Sequence, residues 1–286
     1  MTIDVAVKPC GPYSLASSAR FSSDATRTFR DGLFTALLDV GGRAELARAW
    51  QLPDGTVAIR AESAAGAERL RWILALDDDH SGFLRLVRRD PLLGPSSRAL
   101  RGLRPVRVAS VAQALLRAFC GQLIEAKRAR QLEQTIIRKI CVAGGDGLHV
   151  APTTRELSAL APSQLRSLGL HARRAASLVR ICRSLELERL HEVPTAVVSA
   201  RLERERGLGP WSVGVVCLQG LGRYDHGLVG DLGLVKLLRA LRGRHVEGWE
   251  TAELLEPYGE WAGLASVYLL AGFSRGLVPV AEPRAA

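Results

Sequence analysis

The sequence predicts an α+β protein in which a small antiparallel sheet with helices precedes a mostly helical part. The chain has 286 residues, of which 47% are hydrophobic, so it can bury more than one core. Before residue 100, short segments alternate with turn residues, whereas the apolar residues after Ser110 recur at helical spacing. We therefore expect a sheet-and-helix domain with a linker over residues 1–108, and a helical domain over residues 109–286.

Three short segments in the first domain predict an antiparallel meander. The pair Gly41-Gly42 and the tripeptide Pro53-Asp54-Gly55 separate them. The tripeptide predicts a turn because proline fixes φ where the turn begins and glycine accepts positive φ where it ends. The predicted strands are residues 32–39, 44–50 and 56–62.

Helical spacing begins after the meander. Residues 67–76 and 81–88 predict two helices, a proline-containing stretch at 90–95 interrupts the pattern, and residues 100–108 form the predicted linker. From Ser110 onward the spacing is helical throughout. The apolar stripes that predict these later helices begin at Val111, Ala175, Leu234 and Trp261.

The composition favours one class of partner and excludes others. The chain carries 39 Lys and Arg residues against 29 Asp and Glu residues, and the resulting net charge of +10 favours a polyanion, although Arg-rich soluble proteins share it. No apolar run approaches the roughly 18 residues that a membrane span needs, so we expect a cytoplasmic protein without a membrane partner. The cysteines form no Cys-x-x-Cys pair and no residues have metal-ligand spacing, so no metal site is expected.

A glycine-rich motif lies between two helical patterns, within residues 202–216. Gly207 and Gly209 flank Leu208, and Pro210-Trp211-Ser212 follows at the start of the next helix. Both glycines can adopt positive φ and so allow a tight hairpin. The first amides of a helix have no partner within that helix, and the helix dipole favours negative charge there. The motif therefore predicts a site for an anion such as a phosphate group.

A lone acid begins the next apolar segment, residues 230–241. The residues there are Gly230-Asp231-Leu232-Gly233-Leu234. Aspartate is favoured as the N-cap of a helix, which gives Asp231 a purely structural role. Alternatively, its carboxylate lies over the strand held by the hairpin. At this point both roles remain open.

Three motifs carry a resemblance to a known family. The hairpin 207–212 matches the pattern Gly-apolar-Gly-x-Trp-Thr-Ala, with Ser212 for threonine and Val213 in the place of the usual alanine. Residues 230–234 match a Gly-Asp-Leu-Gly-Leu segment that holds a catalytic acid, and residues 121–123 match a Gly-Gln-Leu motif. Together they resemble the helix-hairpin-helix base-excision DNA glycosylase superfamily, and within it the DNA-3-methyladenine glycosylase II branch. The resemblance implies that the helical domain is the glycosylase domain.

The resemblance implies a role for each matched residue. Asp231 is then the catalytic acid, and Leu123 is the wedge that enters the base stack, although Leu123 also suits an apolar helix face. Trp211 and Tyr13 likewise suit core positions. The predicted base pocket contains Trp211, Trp261, Val215, Leu232 and Tyr13. The predicted DNA contacts are Gly207, Leu208, Gly209, Ser212, Gln122 and Leu123.

The reaction implied by the resemblance is hydrolysis of the N-glycosidic bond of alkylated purines of the 3-methyladenine type. Relatives that also cut the strand carry a lysine two positions after the second hairpin glycine, where this chain has Trp211. A monofunctional glycosylase that leaves an intact abasic strand is therefore predicted. Two alternatives remain: a glycosylase for deaminated or oxidised purines, and a non-catalytic helix-hairpin-helix DNA-binding protein.

The resemblance also implies a partner and the possible cofactors. The partner is double-stranded DNA with damaged bases, bound by a monomer in the bacterial cytoplasm and at the nucleoid. Some relatives hold a four-cysteine iron–sulfur cluster near the C-terminus, but no cysteine follows Cys217, so no cluster is expected. A monovalent cation held by hairpin carbonyls is the only ion that the resemblance allows.

Overall fold

The computed structural model describes residues 2–279, and its sheet has five antiparallel strands in the order β1-β5-β4-β3-β2. The strands β3, β4 and β5 confirm the predicted meander to within one residue at each end. Two edge strands were not predicted, and one of them pairs Ile3 with Ala61, so no local turn marks it. The strands are β1 (Ile3–Val7), β2 (Arg27–Arg30), β3 (Leu33–Val40), β4 (Arg43–Gln51) and β5 (Val57–Ala61).

Helices form most of the remaining described chain, which confirms the α+β class. In chain order they are α1 (Leu15–Ala19), α2 (Ala64–Ile73), α3 (Ser81–Leu86), α4 (Gly94–Ala99), α5 (Val111–Gly121), α6 (Ala126–Ile140), α7 (Thr154–Ala159), α8 (Pro162–Ser167), α9 (Ala172–Ser184), α10 (Thr195–Glu203), α11 (Pro210–Val215), α12 (Leu232–Arg242), α13 (Thr251–Leu255) and α14 (Ala262–Phe273). A π-helical turn, Val216–Gly220, extends α11. Helix α4 begins inside the stretch predicted to interrupt the pattern, because proline is tolerated in a first turn.

Capping residues set the ends of several helices. The Ser110 hydroxyl accepts a hydrogen bond from the Gln113 amide at 3.0 Å and begins α5. Thr153 and Glu156 form a reciprocal capping box at α7. Gly243 adopts a left-handed conformation, with φ of 63°, and ends α12. These local signals explain why the helices begin and end where they do.

Three hydrophobic cores hold the elements together. One lies between the sheet and α2, and a second lies among α5, α6 and α9. In the third, Phe83 of α3 packs with Leu237 of α12 and Tyr268 of α14. The third core therefore combines residues from both sides of position 108. The predicted domain boundary at that position stays a prediction.

A buried ion network joins the sheet layer to the helical layer. The Arg117 guanidinium on α5 donates to Asp24, before β2, at 2.7 Å and to Glu133 on α6 at 2.9 Å. Both carboxylates are buried, and Thr26 donates two further hydrogen bonds to Asp24. Burial alone would raise the pKa of Asp24, but the charges of Arg27 and Arg117 hold it below its usual range.

His80, which precedes α3, is buried without a polar partner. It is 2% exposed, and within residues 2–279 neither ring nitrogen has a hydrogen-bond partner. Its ring packs edge-on against Tyr224, with centroids 4.7 Å apart, and against Trp261 at 6.2 Å. Burial, assisted by the charge of Arg104, lowers the pKa of His80 from 6.5 to about 4. Folding therefore favours the neutral ring.

We predict that the free energy of unfolding falls as the pH falls from about 6.5 to 4. Over this range the unfolded chain binds protons that His80 in the folded chain does not, so the stability present above pH 6.5 is lost on acidification. The measurement is urea unfolding of the wild type and of His80→Leu from about pH 7.5 to about pH 4.5. The plot of the free energy of unfolding against pH should have a shallower slope in His80→Leu, by about one proton or about 1.4 kcal/mol per pH unit. His191, whose pKa is lowered in the same direction, still contributes in that variant. Equal slopes of unfolding free energy against pH for the wild type and His80→Leu would contradict the prediction.

Candidate active site

The hairpin connects α10 to α11 and leaves three amides free. Gly207 has φ of +99°, and a Cβ there would lie 2.9 Å from the Ser177 hydroxyl, so only glycine fits. Gly209 instead adopts extended backbone with φ of −104°, so the hairpin needs positive φ at its first glycine only. In the described part of the chain, the amides of Gly209, Trp211 and Ser212 have no protein acceptor. They are the free donors that the motif predicts, and the binding of an anion to them stays a prediction.

Other contacts fix the hairpin from its inner side. Leu208 is buried at 7% exposure in the core of α5 and α9, and the Ser212 side chain is also buried. Arg180 on α9 donates to the Glu205 carboxylate at 2.5 Å and to the Arg206 carbonyl at 3.0 Å. Leu208 and Ser212 are therefore placed to hold the hairpin, and a direct DNA contact by either side chain stays a prediction.

The loop after α5 is tied to the hairpin and presents a leucine to solvent. The side-chain Nε2 of Gln122 donates to the Gly207 carbonyl at 2.8 Å and to the Ser212 hydroxyl at 3.0 Å. Leu123 is 86% exposed and has φ of +55°, which a non-glycine residue adopts at a cost. The alternative that Leu123 is a core residue is therefore wrong. Its role as a wedge, and base contacts by Gln122, stay predictions.

Asp231 caps α12 and also reaches the hairpin. Its Oδ1 accepts hydrogen bonds from the amides of Gly233 at 2.8 Å and Leu234 at 3.4 Å. Its Oδ2 accepts a hydrogen bond from the Trp211 indole Nε1 at 2.9 Å. The residue is half-buried, so the carboxylate is neither enclosed in the core nor free to rotate. The N-cap role is confirmed, and it leaves Oδ2 on the side of the hairpin.

Trp211 connects all three motifs. It lies in the first turn of α11, and its ring packs directly on the backbone of Gly121 at the end of α5. A Cβ on Gly121 would lie 2.6 Å from this ring, so a larger residue would displace the indole. Trp211 is half-buried. The Gly-Gln-Leu motif, the hairpin and the acid therefore share one aromatic residue.

The loop between α11 and α12, which leads to Asp231, runs alongside helix α14. The Gly263 amide donates to the Tyr224 carbonyl at 2.7 Å, and the Leu228 amide donates to the Ser266 hydroxyl at 3.0 Å. Further along, Gly233 packs against Leu270. Gly263 and Leu270 are about 10 Å apart along a helix. The segment that carries Asp231 therefore lies along α14 over about this length.

An aromatic cluster surrounds Trp261 at the start of α14. Tyr224 stacks on Trp261 with centroids 6.3 Å apart and planes 22° apart, and Phe83 packs at 6.1 Å. The Tyr224 hydroxyl donates to Asp78, which also pairs with Arg107. Burial raises the pKa of Tyr224. Sequence reasoning missed Tyr224, because a single tyrosine in a polar loop carries no motif or periodicity.

The remaining predicted pocket residues lie in different surroundings. Val215 is 4% exposed in the core of α12 and α14, whereas Leu232 is 56% exposed beside Asp231. Tyr13 packs against the core of the sheet, 5.0 Å below the Arg104 guanidinium. The structure therefore joins Trp211 to Asp231 but shows no such contact for the other three. Their places in a base pocket stay predictions.

The described residues were also compared with the requirements of a metal site and of a membrane-spanning helix, and they meet neither. Between residues 2 and 279, no three His, Cys, Asp or Glu side chains are grouped so that they could hold a metal ion. Nor does any helix in this range have the length and apolar character to cross a membrane. All five cysteines are free, with Cys10 exposed and the rest buried.

Comparison with known proteins gives related sequences and folds, although no family model matches the chain. A DNA-3-methyladenine glycosylase of Bacillus subtilis (strain 168) is 26% identical over 208 residues, which span 68% of this chain and 67% of that protein. A 3-methyladenine DNA glycosylase structure from Archaeoglobus fulgidus is 20% identical with a TM-score of 0.82, over 96% of this chain and 98% of that one. The 8-oxoguanine glycosylase/lyase of Clostridium acetobutylicum, bound to double-stranded DNA, is 16% identical with a TM-score of 0.77, over the same shares.

The two solved structures share their fold with this chain over nearly its whole length, and the Bacillus subtilis protein is similar to it in sequence over about two thirds of its length. All three are named as glycosylases. They support a DNA glycosylase that acts on damaged bases as the class of this protein. One of the three is named as a glycosylase/lyase and the other two as glycosylases, so the fold alone does not choose between hydrolysis and strand cleavage. The resemblance of this chain to the helix-hairpin-helix DNA glycosylase superfamily, predicted from its three motifs, is confirmed.

Proposed function

We propose that this protein is a monofunctional DNA glycosylase that hydrolyses the N-glycosidic bond of alkylated purines, of the 3-methyladenine type, in double-stranded DNA. The observation that carries the proposal is the hydrogen bond from Trp211 to Asp231, because it joins the DNA-binding motif to a carboxylate at the edge of the helical core. The similarity to the Bacillus subtilis DNA-3-methyladenine glycosylase supports the substrate class.

The hairpin holds the DNA backbone in this proposal. Three free amides, of Gly209, Trp211 and Ser212, converge at the start of α11 and can donate to the oxygens of one phosphate group. Such a contact does not depend on base sequence, which suits an enzyme that must meet damage anywhere. The net charge of +10 adds long-range attraction to the polyanion.

Leu123 opens the duplex in the same proposal. An enzyme that acts on a stacked base must extrude the nucleotide, and an apolar side chain that fills the gap offsets part of the cost of unstacking. Leu123 projects from its loop at 86% exposure, and Gln122 ties that loop to the hairpin by two hydrogen bonds. The wedge and the phosphate site are therefore held at a fixed spacing, so that binding and extrusion occur together.

Asp231 carries the chemistry. Cleavage of the N-glycosidic bond leaves positive charge on the sugar, and a carboxylate near C1′ stabilises that charge and can orient or deprotonate the attacking water. An alkylated purine already carries a positive charge, so it leaves without a general acid. Asp231 is held by the α12 amides at Oδ1 and by the indole at Oδ2. A carboxylate fixed in this way needs little reorganisation when the charge develops.

The positions of the lysines favour a hydrolytic reaction over a lyase reaction. Strand cleavage through a Schiff base needs an amine at the sugar. The chain has lysine only at positions 8, 127, 139 and 236, and none of these belongs to the hairpin. Trp211 occupies the position after the hairpin where an amine is needed, and its indole nitrogen is bonded to Asp231. An indole cannot form the Schiff base, so the product is an intact abasic strand.

The aromatic cluster supports a cationic leaving base. Trp261 and Tyr224 offer stacked π faces at the start of α14, and such faces favour positively charged, electron-poor rings. Val215 and Leu232, which the resemblance assigns to the pocket, add no aromatic faces. A less aromatic pocket is also compatible with neutral lesions, which keeps deaminated and oxidised purines as the second candidate substrates.

The direct test is base release from duplex oligonucleotides that carry 3-methyladenine, 7-methylguanine, hypoxanthine, ethenoadenine or 8-oxoguanine. We expect release of the alkylated bases, with strand breaks only after added alkali or heat. Asp231→Asn should lower single-turnover release by at least about a hundredfold, because it removes the charge that stabilises the sugar cation. Asparagine also caps helices well, so stability and affinity for duplex DNA should be kept.

Asp225→Asn is the matched control, because Asp225 is an exposed acid in the same loop, six residues before Asp231. It should release bases as fast as the wild type. Strand cleavage by the purified enzyme without alkali or heat would contradict the hydrolytic mechanism. Preferred release of 8-oxoguanine or hypoxanthine would favour the second candidate substrates, and binding without any release would indicate a non-catalytic protein.

Leu123 gives a separate prediction about extrusion. Leu123→Ala should slow release from paired DNA by about tenfold, because the gap in the stack is no longer filled, and should slow release from single strands much less. Leu123→Met keeps an apolar wedge and should retain most of the activity on duplexes. The measurement is single-turnover release from the same lesion in both contexts. Equal slowing in duplex and single strand would show that Leu123 is not the wedge.

A further inference from the structure

One tryptophan outside the predicted site is exposed to solvent, and the packing of the protein does not account for its position. Trp249 lies in the 3₁₀ turn Gly248–Glu250 between α12 and α13, and 66% of its surface is accessible. Large aromatic residues are mostly buried in proteins of this size, and a tryptophan left in water is a common feature of binding surfaces. The exposure of Trp249 therefore favours a binding partner at this position.

The turn that carries Trp249 is attached to the segment of the catalytic acid. The Thr251 hydroxyl accepts a hydrogen bond from the Gly230 amide at 2.7 Å and donates to the Gly248 carbonyl, also at 2.7 Å. A Cβ on Gly248 would lie 3.5 Å from the Cα of Gly230, so the two backbones are in contact. Gly230 immediately precedes Asp231. The turn that carries Trp249 is thus held against the segment of the acid by the Thr251 hydroxyl and by contact between the backbones of Gly248 and Gly230.

The same turn is rigid before any ligand binds. Glu250 is 5% exposed and accepts hydrogen bonds from Arg242, from Arg244 at 2.5 Å and from the Glu247 amide at 2.8 Å. These bonds fix the backbone on both sides of Trp249. An aromatic side chain on an ordered turn loses little conformational entropy on binding, so its contact area contributes to affinity nearly in full.

The surroundings of Trp249 suit DNA better than an apolar partner. Leu232, exposed at 56%, follows Asp231, and Lys236 and Arg239 are exposed on α12 without a carboxylate partner in the described part of the chain. Aromatic faces combined with basic side chains are the usual means by which proteins stack on nucleobases and follow a phosphate backbone. The turn is also linked to the hairpin, because Gly230 bonds to Thr251 and the next residue, Asp231, bonds to Trp211.

We propose that Trp249 stacks on a nucleobase or sugar of the DNA next to the extruded nucleotide, as a second aromatic contact outside the base pocket. The inference rests on the proposed function, since it takes DNA as the partner of this face. Trp249 holds the strand on the α12 side of Asp231, while the hairpin amides hold its backbone on the other side. It contributes to affinity and leaves the chemical step to Asp231.

The test compares Trp249→Ala and Trp249→Phe with the wild type in binding a duplex that contains a tetrahydrofuran abasic analogue, followed by anisotropy at several salt concentrations. Alanine should weaken binding by about 5- to 100-fold, the range for one lost stacking contact, and phenylalanine by about threefold or less. The slope of log affinity against log salt should not change, because no phosphate contact is lost. Phe21→Ala, which removes an aromatic group of equal exposure from another part of the chain, is the control and should bind like the wild type.

A second measurement does not depend on the stability of the alanine variant. Duplex binding should quench part of the tryptophan emission of the wild type, and Trp249→Phe should lose that part of the quenching while it keeps most of the affinity. Wild-type affinity in Trp249→Ala, or equal losses in Trp249→Ala and Phe21→Ala, would overturn the inference. If the wild type still releases damaged bases in either case, the proposed function stands, whereas a wild type that neither binds the duplex nor releases bases would overturn both.

Discussion

The hydrogen bond between the Trp211 indole and Asp231 is the interaction on which the candidate site depends. It requires that the Trp211 ring pack on a glycine at the end of α5, that the hairpin begin α11 at Pro210, and that Asp231 be fixed as the cap of α12. Three segments far apart in the sequence must therefore fold correctly before the carboxylate has its position. The cores around α5 and α14 supply that precision, because close-packed side chains do not shift independently.

The structural role of Asp231 is compatible with the catalytic role that we propose for it. The sequence left a choice between a helix cap and a reactive carboxylate. In the structure the cap uses Oδ1, which the α12 amides hold, and the indole holds Oδ2 on the side of the hairpin. The cap fixes the side chain at the end of the helix, where the dipole favours its negative charge. In the proposed mechanism, the same bonds that begin the helix hold the carboxylate in position for the reaction.

The sequence predicted those parts of the protein that local physics determines. The meander followed from its turn residues, the helices from their spacing and caps, and the hairpin from its Gly-Leu-Gly pattern, of which only Gly207 requires glycine. Contacts between segments that lie far apart in the sequence could not be predicted from these local patterns. The strand β1 pairs with β5 across the intervening meander, Tyr224 meets Trp261 only after folding, and the exposure of Leu123 results from a left-handed backbone that no residue pattern signals. Trp249 has the same origin, since its turn is held by contacts with Gly230.

The most direct test of the account is the single-turnover rate of 3-methyladenine release by Trp211→Phe from duplex DNA. Phenylalanine keeps an aromatic ring against Gly121 but removes the N–H that holds Oδ2 of Asp231. We predict that release slows by about tenfold or more, equivalent to about 1.4 kcal/mol, while affinity for an abasic-analogue duplex and the free energy of unfolding change little. Release at the wild-type rate would show that Asp231 does not depend on the indole and would contradict the central claim.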